Sequence, residues 1–103
     1  MVKKMTIKCY VDFKKRLFGF MFKIKKIDYG LCLPKCNSIH TLFMFQPIDV
    51  IMTDKNHKIL YIYSNLKPWR IILPKKGVYY TYELPVGSIK ILKVNDIFKK
   101  PKV

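Results

Sequence analysis

The chain contains no alanine. Alanine favours a helix most strongly, so any helix here must be built from weaker formers. The chain is instead rich in Ile, Val, Tyr and Phe. These residues lose rotamer freedom in a helix but pack well on a pleated sheet. Six prolines cut the apolar stretches into short runs. Proline lacks the ladder donor and is confined to strand ends, edges and bulges. Short strands divided by Pro and Gly turns predict a mainly β fold: a small single-domain barrel-like or sandwich sheet with one or two short helices.

A chain of 103 residues, half of them hydrophobic, can bury one core. Residues 1–98 read as a single β-rich domain and 99–103 as a frayed basic tail. Alternation predicts a first strand over Met5–Val11. Asp12 can cap a short helix over Phe13–Met21, with Leu17, Phe20 and Met21 on its inner face. Strands follow at Tyr29–Leu33, Ile39–Phe45 and Ile48–Thr53. The turn Asp54-Lys55-Asn56-His57 folds Lys58–Tyr63 back as a hairpin. That strand is apolar on both faces, which predicts a central position. Trp69–Leu73 and Val78–Leu84 are further strands. Ser88 can cap one helical turn to Leu92, and Asp96–Phe98 closes the sheet.

The net charge is +15. Such charge attracts polyanions and predicts at least weak, non-specific nucleic-acid binding at low salt. Only Arg16 and Arg70 are arginines, whereas phosphate readers favour the Arg fork. Lys, Ile, Asn, Tyr and Phe all have A/T-rich codons, so codon bias alone would yield the same charge. No signal-peptide or membrane-length apolar run is found, and Cys9, Cys32 and Cys36 form no even framework. The expected location is the cytoplasm, with reduced thiols and no membrane span.

Four blocks and their spacing resemble the bacterial and archaeal family called domain of unknown function 192. Gly19-Phe20-Met21-Phe22-Lys23 is similar to that family's Gly-Leu-Met-Phe-Arg block. Tyr29-Gly30-Leu31-Cys32-Leu33 stands where the family has Gly-Met-Leu-Phe. Pro47-Ile48-Asp49-Val50-Ile51-Met52-Thr53-Asp54 resembles Pro-Leu-Asp-Ile-Ile-Phe-Leu-Asp. Tyr82-Glu83-Leu84-Pro85-Val86-Gly87 resembles Leu-Glu-Leu-Pro-Ala-Gly, and Asn95-Asp96 falls on a closing Gly-Asp. The resemblance implies a β-rich fold with a short N-terminal helix, and no defined activity. One block departs. Family members carry Phe-Trp-Met-Lys-Asn-Thr where this chain has Ile39-His40-Thr41-Leu42-Phe43-Met44, so a pocket built on those polar groups is altered here.

Asp49 and Glu83 could pair for acid/base work in one pocket. The alternative is that each accepts backbone N–H or lysine bonds near a proline and shapes a turn. Cys32, Cys36 and His40 are spaced by four and would align as zinc ligands only on a helix, which Pro34 opposes. No metal or other cofactor is expected. Arg16-Leu17-Phe18-Gly19-Phe20-Met21 is also similar to the aromatic strand of cold-shock domains, although Leu17 stands in place of the required Gly. No Gly-rich phosphate loop or catalytic motif is present.

The balance favours a non-catalytic binding or accessory module for a small ligand or protein, its cleft lined by His40, Asp49, Trp69, Arg70 and Glu83. The second reading is a nucleic-acid-associated protein. It would use Lys14, Lys15, Arg16, Lys23, Lys25 and Lys26 for phosphates and Phe18 or Phe20 for stacking. The third is a small enzyme using Asp49 and Glu83.

Overall fold

The computed structural model describes residues 6–9, 20–89 and 92–98. Its strands are β1 (Ile7–Cys9), β2 (Gly30–Pro34), β3 (Ile39–His40), β4 (Ile48–Thr53), β5 (Ile59–Leu66), β6 (Ile71–Ile72) and β7 (Tyr80–Pro85). Five form one sheet in the order β1-β2-β7-β4-β5, and β3 pairs with β6 as a separate ribbon. All pairings are antiparallel except β1 with β2. The fold is mainly β, as expected, but the sheet is open, with β1 and β5 as its edges, and does not close into a barrel. A three-residue β1 offers too short a ladder to reach across to β5.

Residues opposite each other in a ladder share a face. Leu31, Leu33, Ile48, Val50 and Met52 therefore project to one side, where Phe20, Ile27, Cys36, Ile39, Met44 and Ile72 cover them. The β3–β6 ribbon contributes Ile39 and Ile72 to this cover. Cys32, Ile51, Tyr82 and Leu84 project to the other side, against Ile7, Ile89 and Phe98. With apolar cover on both faces, every residue of β4 is buried. β2 packs closely on its neighbours at Gly30, where a Cβ would lie 2.7 Å from Leu84 Cδ2 and push that side chain aside.

Several expected elements differ. β5 is an edge strand, not a central one. Its Tyr63 packs partly against the core, while Tyr61 is exposed with Lys75 over its ring, and tyrosine tolerates water at its hydroxyl end. The expected strand Ile39–Phe45 stops at His40, and the next residues turn outward. Trp69–Leu73 shrinks to Ile71–Ile72, and the closing strand reduces to one bridge between Lys58 and Ile97. The β4–β5 hairpin forms as read, with Asp54 Oδ1 accepting the Asn56 and Lys58 N–H groups. The helix expected over Phe13–Met21 lies outside the described residues except for Phe20 and Met21, which sit in a turn. Val86–Ile89 is also turn, and no helix occurs among the described residues. None is long and apolar enough to cross a membrane.

Candidate functional site

Asp49 is fully buried and accepts three backbone N–H bonds. Its Oδ1 accepts Asn65 N–H at 2.8 Å, and its Oδ2 accepts Gly87 N–H at 2.8 Å and Ser88 N–H at 2.9 Å. The Asn65 bond holds a bulge: the β4–β5 register slips between Ile48 and Val50, leaving Asp49 opposite the extra residue of β5. The other two bonds hold the turn after β7, where Gly87 takes a φ of 92°. This is the structural role weighed against acid/base work.

Glu83 stands on the opposite face. It pairs with Leu31 and Val50 in the ladder, while Asp49 pairs with Leu84. Side chains alternate along a strand, so the two carboxyls point to opposite sides of the sheet and share no pocket. Burial among apolar neighbours pushes the Glu83 carboxyl up to about 7.

Phe20 is buried and packs edge-on against Tyr29 with centroids 5.3 Å apart, so it offers no free face to a base. Lys14, Lys15, Arg16 and Phe18 lie outside the described residues. Lys23, Lys25 and Lys26 are exposed. His40 sits half-buried at the end of β3, its Nδ1 accepting Leu42 N–H. The buried Cys36 donates its thiol to Ser38 O. The five residues expected to line one cleft are therefore dispersed. Trp69 and Arg70 alone stand together on the surface, with His40 nearby through Thr41.

The surface group that does form is aromatic. Phe22, Phe43, Phe45 and Trp69 are each about half exposed or more, between 45% and 57%. Their rings make a row: Phe45 to Phe22 is 6.3 Å between centroids, Phe22 to Phe43 5.7 Å, and Phe43 to Trp69 5.0 Å. The rings are tilted or edge-on to one another, and each keeps about half of its surface in water.

Three of the four carry backbone strain. Phe22, Phe43 and Trp69 have φ of 64°, 63° and 65°. This left-handed region costs a bulky L-residue about 1–2 kcal/mol. Such strain persists only where surrounding bonds over-determine it, and it concentrates at functional sites. Thr41, fully buried, supplies those bonds. Its carbonyl accepts Trp69 N–H and Met44 N–H, and its own N–H donates to Arg70 O. Its hydroxyl donates to Lys67 O at 2.7 Å and accepts Arg70 N–H at 2.8 Å. Phe22 N–H donates to Phe43 O at 2.9 Å, tying the two ring-bearing loops together. Gln46 clamps the following segment, donating to Lys23 O and Lys25 O while accepting Ile27 N–H.

Reading the residues alone missed Phe22, Phe43 and Phe45, because Phe43-Met44-Phe45 has the apolar continuity of a buried strand. One signal was present. Phe43 occupies the position where the resembled family has Asn, the non-glycine residue that best tolerates positive φ.

The profile of the family DUF192, described as Uncharacterized ACR, matches residues 1–96. A UPF0127 protein of Pyrococcus abyssi is 41% identical over 87 residues, spanning 81% of this chain and 74% of that protein. A UPF0127 protein of Pyrococcus horikoshii is 40% identical over 86 residues, spanning 80% and 74%. Among solved structures, a proposed transcription regulator from Sinorhizobium meliloti superposes with a TM-score of 0.74 at 23% identity, over 90% of this chain and 78% of that one. A protein of unknown function from Novosphingobium aromaticivorans gives 0.70 at 18%, over 82% and 66%. At these identities the two structures speak for the fold alone.

Proposed function

The chain belongs to the uncharacterised family DUF192, also called UPF0127, and from that premise we propose that it is a non-catalytic binding module whose binding face is the aromatic row Phe22, Phe43, Phe45 and Trp69. One observation carries this reading: three of the four exposed rings are held out on left-handed backbone. Turning the same rings inward would relieve strain and bury apolar area, so keeping them outside favours a role at the surface. Arg70 and Lys23, each next in chain to a ring, give the row a cationic border. The preferred guest is a flat group with an apolar face and negative charge. The separation of Asp49 from Glu83 across the sheet weighs against the two-carboxylate enzyme.

The test uses the aromatic anion anilinonaphthalene sulfonate as probe, with Trp69, the single tryptophan, as internal donor. The folded chain is expected to bind one probe and transfer Trp69 emission to it. Phe43→Asn is expected to lose that binding while unfolding at the same temperature or above. Binding that persists in Phe43→Asn overturns the reading.

A further inference from the structure

We infer that the occupant of the aromatic row is single-stranded nucleic acid, an identification that rests on the row being the binding face. The charge around the rings is one-sided. Lys23, Lys25 and Lys26 follow Phe22, Lys67 and Arg70 flank Trp69, and all five are exposed. Among the described residues, most carboxylates are elsewhere or engaged. Asp49 and Glu83 are buried, and Asp54 and Asp96 accept N–H bonds within their own turns at the hairpin end. The exposed Asp28 is the one acid close in chain to Lys23, Lys25 and Lys26, and it lies beyond the buried Ile27.

The order of these groups matters as much as their sign. The rings run Phe45, Phe22, Phe43, Trp69, with a lysine following Phe22 inside the row and an arginine following Trp69 at its end. A single small anion would engage one ring and one cation. A ligand that repeats an aromatic face and a phosphate engages the whole row. Bases in a duplex are stacked on each other and cannot reach protruding rings, whereas unstacked bases of a single strand can. Gln46 holds the Lys23–Lys25 backbone by two side-chain donors, so that cationic flank is fixed relative to Phe45. An acidic peptide would satisfy the cations and leave the ring faces unused.

The test is fluorescence anisotropy of labelled oligouridylate and oligothymidylate of about twelve nucleotides with the full chain. It is run at physiological salt and at about twice that concentration. The log–log salt slope is expected near −0.7 for each phosphate contacted. Phe43→Asn and Trp69→Ala are each expected to weaken binding at least about fivefold, the low end of stacking on one ring. The oligonucleotide is expected to displace anilinonaphthalene sulfonate. Three results overturn the inference: both variants bind like the parent, a duplex of equal length binds as tightly, or oligoglutamate displaces the probe better. If the probe binds and no oligonucleotide displaces it, this identification falls and the binding face stands. If the probe does not bind the parent chain, the binding face itself falls.

Discussion

Two buried polar hubs organise this protein, and they serve opposite ends. Asp49 gathers three N–H groups and closes the fold inward, fixing the β5 bulge and the turn at Gly87. Thr41 gathers the chain around Trp69 and Arg70 and holds an aromatic corner outward. Around Asp49 the positive-φ residues are Asn65 and Gly87, which adopt that conformation with little strain. Around Thr41 they are Phe43 and Trp69, which do not. The comparison teaches that hydrogen-bond satisfaction alone does not mark a site. What separates the regions is whether the bonds hold comfortable residues in the core or strained ones at the surface.

Removing the first hub should have the largest effect. Asp49→Ala leaves three backbone donors unpaired in the interior, and bonds to a charged acceptor are the strong kind, so a loss of about 4 kcal/mol is expected in urea unfolding. A loss below about 1 kcal/mol would mean that the turn and bulge hold without it.

The core face next to that hub should set the pH dependence. Folded Glu83 titrates near 7 against an ordinary value of 4.5. Below 4.5 both states are protonated and its effect is absent. Between 4.5 and 7 the folded chain retains a proton that the unfolded chain releases. Stability therefore falls as pH rises through that window and levels off above it. The drop is about 3 kcal/mol at most, from 2.5 pH units. Glu83→Gln should flatten that part of the profile; an unchanged profile in the variant would assign the dependence to another group.

The second hub should respond more weakly in stability and more visibly in Trp69. Thr41→Val strands Lys67 O and Arg70 N–H, at a cost of about 2 kcal/mol. It should also change Trp69 emission, which Asp49→Ala should not do before unfolding. Equal emission in parent and Thr41→Val would erase the distinction between the hubs.

The smallest stability effect has the opposite sign. Phe43→Asn should stabilise by up to about 1 kcal/mol, because Asn accepts the left-handed backbone that Phe resists. A destabilised Phe43→Asn would show that packing against Phe22 and Trp69 outweighs the strain, and the contrast between comfortable and strained hubs would lose its energetic basis.

Much of the frame was readable from residue order. The run Ile48–Thr53 is apolar at four of its six positions and follows Pro47, and it became the buried strand. Asp54-Lys55-Asn56-His57 carried its turn chemistry intact. The position of β5 was not readable, since apolar residues on both faces suit a central strand and a tyrosine-bearing edge equally. Nor was the corner: Phe43 and Phe45 share their composition with core residues. Only the turn after His40, imposed by Thr41 bonding to a segment 26 residues away, sends them outward.

Composition and local pattern determined that this chain forms short strands with a buried apolar interior, because β propensity, alternation and proline breaks act within a few residues. The side of the sheet each carboxyl occupies follows from register, which two strands set together. The exposure of the aromatic row follows from hydrogen bonds between distant loops. Both are long-range pairings, and no residue's own preference contains them.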